Sequence, residues 1–380
     1  MTVSGAPPVA LALALAAGLF LAPSAAAAPR SPAPPPAGAS APAHPAPSSK
    51  GRLKPLRTIT GDLSPKSVVA SQRGLFFAQN MMYRHTISVY DRRFRLVRTI
   101  SDAVDLGRLR GRRPTGTVRG APVEAAFAPG GEVAYVSNYS MYGPGFGPEG
   151  SDVCSPASGI HRSYVYRVDA RRLRIDRAIQ VGSVPKHVAV TPDGRRVLVS
   201  NWCSYDLSVV SARRGAEIRR IPLGAYPRGI AVGPRGRYAY VAVMGSFDIA
   251  RVRLSDLSVS WLRGVGNAPR HLVIDPAGDY LYATLNGEDR VVKVDLRSGR
   301  TLARAATGDA PRSMAIAADG RSIYVVNYES DTVSKVRTRD MRVLQTVRTA
   351  PDPIGITHDD ATRQVWVACY SGSLMVFRDG

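Results

Sequence analysis

The chain has 380 residues, of which 44% are hydrophobic, and its 51 lysines and arginines outnumber 29 acidic residues to give a formal net charge of +22. Only 6 of those 51 cationic residues are lysine. The excess can therefore come from a coding bias toward arginine, and the net charge by itself does not indicate an acidic partner. No apolar run after residue 22 is long enough to span a bilayer, which excludes a protein built of transmembrane helices.

The N-terminal segment predicts export. Residues 9–22 are apolar, although no Lys or Arg precedes them, and they run into small residues of the kind that signal peptidases cut. Residues 1–28 are therefore interpreted as a signal peptide, and a secreted or cell-surface location is expected. Residues 29–52 are rich in Pro and Ala, a composition that cannot bury a core and indicates a disordered linker. The folded domain is expected at residues 53–380.

A repeat of fixed period organises that domain. Seven similar units each begin with a proline: Pro65, Pro122, Pro185, Pro227, Pro269, Pro311 and Pro353. The last five prolines lie 42 residues apart, and the sequences that follow them align, as in KHVAVTPDGRRVLVSN and RSMAIAADGRSIYVVN. The first two spacings are 57 and 63 residues, which indicates two insertions.

Each unit predicts four antiparallel strands. Apolar residues alternate, as at Val188 and Val190 and then at Val197 and Val199, with the period of two that strands show. A glycine lies nine residues after the proline in six units, where a tight turn needs a positive φ, and Thr362 replaces it in the seventh. Third and fourth strands follow, for example at 207–210 and 217–223. Four strands in about 42 residues are typical of one propeller blade.

The seventh unit has room for only three strands before the chain ends. Residues 53–60 precede the first unit, and their Arg-Thr-Ile sequence at 57–59 is repeated at 98–100. This segment is expected to supply the missing outer strand, which closes the ring and removes an open sheet edge. The sequence therefore predicts an all-β, seven-bladed β-propeller of four-stranded antiparallel blades, closed by an N-terminal strand that completes the last blade.

The sequences GRRVLVSN, GRSIYVVN and PRGIAV resemble those of YVTN-repeat propellers of the YncE-like group, and the resemblance covers residues 53–380. It implies the propeller fold. Propellers with this pattern are similar to surface-layer modules and to a single-stranded-DNA-binding periplasmic protein, and more distantly to lactonases and quinoprotein dehydrogenases. The resemblance therefore leaves the function open.

The residue after each proline is expected to begin the innermost strand, beside the central tunnel. In five of the seven units it is cationic: Lys66, Lys186, Arg228, Arg270 and Arg312. A ring of like charges repels itself unless an anion or solvent relieves it, so these residues are candidates for an anion-binding collar. The alternative is that they stand in water, since the turns expected on the opposite face are equally rich in arginine.

Histidines and aromatic residues accompany the collar. His187 and His271 follow two of the collar residues, and Trp202 and Tyr205 lie in a loop expected on the same face. All four are candidates for ligand binding, with the aromatic rings stacking on bases or sugars or anchoring a protein. The alternative for the aromatic residues is that they pack on each other or fill gaps between blades. The two histidines are expected two blades apart without a carboxylate cluster, so no metal site is predicted.

Three cysteines are present. Cys154 lies in the Gly/Pro-rich insertion at 140–162, and Cys203 lies in the equivalent loop of the next unit, so a disulfide between them is predicted. Cys369 is expected to be a buried free thiol. The other insertion, at 101–119, is basic, and both insertions are expected on the face that carries the collar.

The leading functional hypothesis is a non-enzymatic binding propeller that recognises a partner protein, a glycan or a polyanion. One alternative is a lactonase-like hydrolase or lyase with Glu124, His187 and His271 as acid/base groups at the tunnel mouth. Single-stranded nucleic-acid binding, implied by the YncE-like resemblance, is another. The sequence has no CxxCH haem motif, GxSxG elbow or metal-ligand cluster, so no cofactor is expected. A monomer is expected.

Overall fold

The computed structural model describes residues 46–147 and 152–380. The predicted signal peptide and the predicted linker up to residue 45 lie outside the described residues. The described chain forms seven antiparallel sheets that follow one another as the blades of a propeller. Among these residues no helix is long and apolar enough to cross a membrane.

The elements follow the repeat of the sequence. The first strand is β1 (Leu53–Ile59), and blade 1 contains β2 (Pro65–Ala70), β3 (Leu75–Asn80), β4 (Thr86–Asp91) and β5 (Leu96–Ser101). A short strand β6 (Val104–Asp105) and the one-turn helix α1 (Leu106–Leu109) precede blade 2, which contains β7 (Thr117–Phe127), β8 (Val133–Tyr142), β9 (Tyr164–Asp169) and β10 (Arg174–Gln180). Short 3-10 turns lie at Ser48–Lys50 and Pro156–Ser158.

The remaining five blades are more regular. Blade 3 contains β11 (Pro185–Val190), β12 (Arg196–Asn201), β13 (Asp206–Ser211) and β14 (Ala216–Pro222), and blade 4 contains β15 (Pro227–Val232), β16 (Tyr238–Val243), β17 (Ile249–Arg253) and β18 (Val259–Leu262). Blade 5 contains β19 (Pro269–Ile274), β20 (Tyr280–Leu285), β21 (Arg290–Asp295) and β22 (Thr301–Ala306). Blade 6 contains β23 (Pro311–Ile316), β24 (Ser322–Asn327), β25 (Thr332–Arg337) and β26 (Arg342–Arg348), and blade 7 contains β27 (Pro353–Asp359), β28 (Gln364–Cys369) and β29 (Ser373–Asp379).

The hydrophobic core lies between neighbouring blades. One cluster joins Leu207 and Val209 of blade 3 to Val241 and Val252 of blade 4, and similar clusters fill the other seams. Strands with neighbours on both faces are apolar almost throughout, which explains the continuous burial of the second strands. The first strands contact one another in sequence and form the inner ring. Their N-terminal residues therefore surround the axis.

The ring closes as the sequence predicts. Strand β1 pairs with β29 in antiparallel register and completes blade 7, and Arg52 and Gly380 exchange two backbone hydrogen bonds beyond the last pair. A buried ion pair between Lys335 of blade 6 and Asp379 of β29 reinforces this closure. The N-terminal and C-terminal ends of the described domain are thus held at one seam.

The two insertions lie in different places. In the first, Leu106 of α1 packs on Tyr164 and Tyr166, so this segment covers the outer part of blade 2. None of the residues that line the central cavity described below comes from 101–119. The first insertion therefore does not line the cavity, and the expectation that both insertions lie on the face of the collar stays a prediction. The apolar residues of the first insertion pack against blade 2.

Candidate functional site

A β-bulge directs the collar side chains toward the axis. In blade 3, Pro185 lies opposite Asn201 and His187 lies opposite Ser200, so Lys186 is the extra residue. Each of the seven innermost strands shows a register shift directly after its proline. A bulge bends its strand and re-aims the side chain of the extra residue. The recurring proline followed by a cation is therefore a device that points positive charge into the centre of the ring.

The collar side chains meet in one central cavity of about 460 Å³. The cavity is lined by Lys66, Met81, Met82, Ala121, Tyr139, Tyr142, Asp152, Lys186, Trp202, Arg228, Arg270, Arg312 and Tyr370. All five predicted cations and Trp202 are among these residues. Tyr205 is not: its ring packs on Tyr226, and its hydroxyl donates to the carbonyl of Cys154 at 2.8 Å.

The cavity holds more positive charge than its surroundings compensate. Lys66, Lys186 and Arg228 keep 5 to 7% of their surface exposed, and the cavity lining contains one carboxylate, Asp152. Burial, with the nearby Arg228, holds the pKa of Lys66 well below its ordinary value. Burial, followed by Arg228 and Arg312, also holds the pKa of Arg270 well below its ordinary value. Both shifts mean that the surroundings of the cavity disfavour the charged forms of these two side chains.

Lys186 has fixed partners. Its Nζ donates to Asp152 Oδ1 at 2.6 Å and lies 3.9 Å from the centre of the Tyr139 ring and 5.3 Å from that of Trp202. The indole of Trp202 in turn donates to the backbone oxygen of Asp152 at 2.9 Å. Burial lowers the pKa of Lys186 to about 7, against the opposing effect of Asp152. This lysine is therefore positioned between two aromatic rings and a carboxylate.

The predicted disulfide brings Asp152 to this place. Cys154 and Cys203 are bonded to each other, and both are buried. Because Cys154 is two residues from Asp152 and Cys203 follows Trp202, the bond joins the end of the second insertion to the collar loop of blade 3. Cys369 is buried and free, as predicted, and burial raises the pKa of its thiol to about 12.

The predicted acid/base residues lie below the cavity. His187 and His271 face each other with ring centres 5.3 Å apart, so residues two blades apart meet across the narrow tunnel. The space that they line with Glu124 is about 10 Å³, enough for about one water molecule. Burial lowers the pKa of His271 to about 3 and holds that of His187 well below its ordinary value, so both rings are neutral.

Among the described residues these three side chains are not hydrogen-bonded to one another, and their acid/base role stays a prediction. His187 Nδ1 accepts a hydrogen bond from the backbone of Ile230, and within the described residues His271 Nδ1 has no partner and none of the hydrogen bonds joins Glu124 to either histidine. In residues 46–147 and 152–380 there is no group of three or more His, Cys, Asp or Glu side chains that could hold a metal ion. The arrangement therefore offers a cationic, aromatic-walled binding cavity above a closed tunnel.

Sequence reasoning missed the contact between Asp152 and Lys186. The signal was present, because the predicted disulfide already brought residue 154 beside residue 203 and hence the neighbouring Asp152 toward the collar. Two further lining residues, Met81 and Met82, lie in a loop after β3 that the sequence marks only by its aromatic neighbour Tyr83. Tyr83 itself is 85% exposed and lies outside the cavity.

Seven four-stranded blades around a cationic axial cavity define a seven-bladed β-propeller. Residues 163–303 match the family model described as YNCE-like beta-propeller, and residues 265–368 match the one described as lactonase, 7-bladed beta-propeller. The first match and the seven blades together confirm the resemblance to YncE-like seven-bladed propellers.

A solved structure shows the same fold. The chain is similar to a chain of hydrazine synthase from Kuenenia stuttgartiensis, with a TM-score of 0.67 and 17% sequence identity over 85% of this chain and 97% of that one. At this identity the likeness concerns the fold alone. No curated protein sequence matches the chain.

Proposed function

We propose that this protein is a binding propeller whose central cavity captures an acidic ligand. The observation that carries the proposal is the convergence of five cationic side chains, from five blades, on one cavity whose lining contains a single carboxylate. Burial, and after it repulsion by neighbouring arginines, lowers the pKa of Lys66 and Arg270, and an anion in the cavity would offset both effects. Binding of an anion would therefore raise the pKa of Lys66 and of Arg270 toward their ordinary values.

The shape of the cavity favours one acidic unit with a ring or a flat apolar face. A volume of about 460 Å³ is in the range of small-molecule sites, and Tyr139 and Trp202 supply rings beside the cations. Proteins that bind single strands without sequence preference use a groove that follows several phosphates. A single closed cavity fits an acidic sugar unit of a glycan better than it fits a nucleic-acid strand.

The lactonase-like match supports a second candidate function, hydrolysis of a cyclic ester. The space between Glu124, His187 and His271 is too small for a substrate, so such a reaction would use the upper cavity. A Glu124→Gln variant tests this candidate. Lactone hydrolysis that survives in that variant, or that is absent from the wild type, contradicts a role for the predicted acid/base group.

Export is part of the proposal. The disulfide between Cys154 and Cys203 supports it, because such bonds persist in oxidising compartments outside the cytoplasm. N-terminal sequencing of protein collected from the culture medium tests it, and a mature chain that starts near residue 29 is the expected result. A protein that stays in the cytoplasm with residues 1–28 still attached contradicts export.

The test of the proposed function is binding of a labelled galacturonate oligomer, a single-stranded DNA oligomer and a neutral galactose oligomer over a salt series. The collar variant is Arg270→Gln with Arg312→Gln, which keeps most of the side-chain volume. We expect the galacturonate oligomer to bind most tightly and the collar variant to lose at least tenfold in affinity, the loss of about two charge-assisted hydrogen bonds.

A matched control removes exposed charge from the turns rich in arginine: Arg171→Ser with Arg213→Ser. This control removes the same formal charge as the collar variant, and we expect it to bind like the wild type. Equal losses in the two variants would mean that the charge acts as a diffuse property of the surface and would contradict the cavity as the site. Tightest binding of the DNA oligomer would contradict the choice of a glycan.

A further inference from the structure

Lys66 differs from the other lysine of the cavity. It is buried to 5% exposure and lines the cavity, and the contact that the structure gives its Nζ is the ring of Tyr370, 5.7 Å away at the centroid. Within the described residues no hydrogen bond or salt bridge holds this nitrogen. Lys186, by contrast, is tied to Asp152 and enclosed by two rings. Of the two amines, Lys66 is the one free to react.

The groups that face Lys66 favour its neutral form. Burial lowers its pKa most, followed by Arg228 and, less strongly, by Arg270 and Arg312. Glu124 acts in the opposite direction with an effect smaller than that of Arg228. An amine that is desolvated beside other cations is a nucleophile at neutral pH, and this is how proteins activate a lysine toward carbonyl compounds. The same arginines present guanidinium groups, which bind carboxylates. An amine and a carboxylate site therefore share one cavity.

We propose that Lys66 captures the carbonyl carbon of a 2-oxo acid as an imine, while Arg270 and Arg312 hold the carboxylate. The lone pair of Nζ forms the C–N bond, and the electron pair of the carbonyl moves to its oxygen, which takes up a proton to give a carbinolamine. Nζ releases one proton as the carbinolamine forms, which replaces the proton taken up by the oxygen. Loss of the hydroxyl group together with the second Nζ proton, as water, leaves the C=N bond. The sum is amine plus 2-oxo acid to imine plus water, and it needs no oxidant or reductant.

Glu124 is placed to supply the proton. It lines the space directly below the cavity together with Arg228, Arg270 and Arg312, and burial raises its pKa despite the opposing effect of Lys66. A carboxyl group whose pKa is raised by burial can act as a proton donor to the developing hydroxyl. The inference rests on the proposed anion site, because the same arginines would bind the carboxylate.

The experiment traps the imine in the full-length mature protein. The protein is incubated at pH 7 with glyoxylate, the smallest 2-oxo acid, and sodium cyanoborohydride, which reduces the C=N bond to a stable amine. Peptide mass spectrometry then compares labelling of Lys66 with that of the exposed Lys54. We expect Lys66 to be labelled at least tenfold faster than Lys54, and the preference to disappear in the collar variant Arg270→Gln with Arg312→Gln.

A parallel incubation with propanal, a neutral aldehyde, distinguishes the contribution of the reactive amine from that of the carboxylate site. Labelling of Lys66 that is equally fast with propanal and glyoxylate overturns the assignment to a 2-oxo acid. Labelling of Lys66 that is no faster than that of Lys54 with either reagent overturns imine formation. The proposed anion site is judged separately by galacturonate binding to the wild type and to the collar variant, a measurement that does not depend on the trapped adduct. A Lys66→Arg variant should lose the adduct at this position, which confirms the labelled residue.

Discussion

Two lysines of this protein are almost fully buried in opposite surroundings. Lys335, at the seam between blades 6 and 7, is 0% exposed and donates to the carboxylate of Asp379 and to the carbonyl of Gly51 at 2.7 Å. The hydroxyl of Tyr324 donates to the same carboxylate. Lys66, in the central cavity, is 5% exposed and faces arginines. The same residue type is compensated in one place and left uncompensated in the other.

The two surroundings give the two lysines different effects on the stability of the fold. Lys335 has two acceptors for its ammonium group, the carboxylate of Asp379 and the carbonyl of Gly51, and such contacts fix the register of the strands that they join. At the seam this stabilises β1 and β29, on which closure of the ring depends. A buried lysine among other cations weakens the fold, and such a cost is expected where a ligand supplies the missing charge. The contrast identifies the axis, and not the seam, as the place to look for activity.

The largest expected effect comes from breaking the compensated pair. Lys335→Met removes the closest counter-ion of the buried Asp379 and leaves it, among the described residues, only Arg363, 3.7 Å away, so we expect the free energy of unfolding to fall by about 3 kcal/mol. Lys66→Met removes a charge that its neighbours repel, so we expect stability to stay the same or to rise. Urea unfolding followed by tryptophan fluorescence measures both variants. Equal losses would contradict the distinction between the two sites.

A smaller effect sharpens the comparison through pH. Lys186 has a pKa of about 7 in the folded protein and 10.5 as the ordinary value. Between these values the folded state binds fewer protons than the unfolded chain, so the cost of burying this lysine is fully present below pH 7 and diminishes as pH rises. The stability of the wild type relative to Lys186→Met should therefore increase by up to about 1.4 kcal/mol per pH unit from pH 7 to 10.

Taking the difference between the two proteins is necessary because other groups titrate in the opposite direction. Burial raises the pKa of Asp102 to about 8, so this group lowers stability as pH rises toward 8 in the wild type and in the variant alike. Urea unfolding at each pH supplies the difference. A difference that stays constant from pH 7 to 10 would show that Lys186 keeps its ordinary pKa and that the collar is solvated.

The fold could be predicted because the repeat leaves little choice. A proline every 42 residues and alternating apolar positions specify the blades. A turn with positive φ joins the first two strands of a blade even where glycine is missing, as in blade 7, where Arg363 has a φ of 56°. The closing strand was also accessible, since residues 57–59 repeat the outer-strand sequence of blade 1. These features depend on local pattern, which a sequence displays directly.

The site could be predicted only in part. The position after the proline revealed the five cations, because one bulge recurs in every blade. The contact between His187 and His271 was not accessible, since it depends on the radius of the tunnel. Tyr205, predicted to bind ligand, does not line the cavity, and its hydroxyl donates to the carbonyl of Cys154 instead. Contacts that depend on the distance between blades cannot be predicted from the sequence of a single repeat.

The smallest expected effect concerns Asp152, the carboxylate that compensates Lys186 in the cavity. If it acts as an internal substitute for the ligand, Asp152→Asn should increase affinity for the galacturonate oligomer by about two- to fivefold at pH 6, as expected for a partly exposed ion pair. The matched control is Asp309→Asn, an exposed aspartate outside the cavity lining, which should change nothing. Measurement at pH 6 is required because loss of Asp152 lowers the pKa of Lys186 further.

A decrease in affinity would reverse the interpretation of that carboxylate. Asp152 would then stabilise the bound ligand, as the acceptor of a hydrogen bond from a hydroxyl group, more than it competes with the ligand for Lys186. The cavity would therefore select an acid that also carries hydroxyl groups. In that case the disulfide between Cys154 and Cys203 positions a recognition group, and Lys186 is the residue that orients it. Calorimetry of the wild type and both variants distinguishes the two roles. Removal of Asp152 raises the affinity for the ligand if this carboxylate competes with it, and lowers the affinity if the carboxylate binds the ligand.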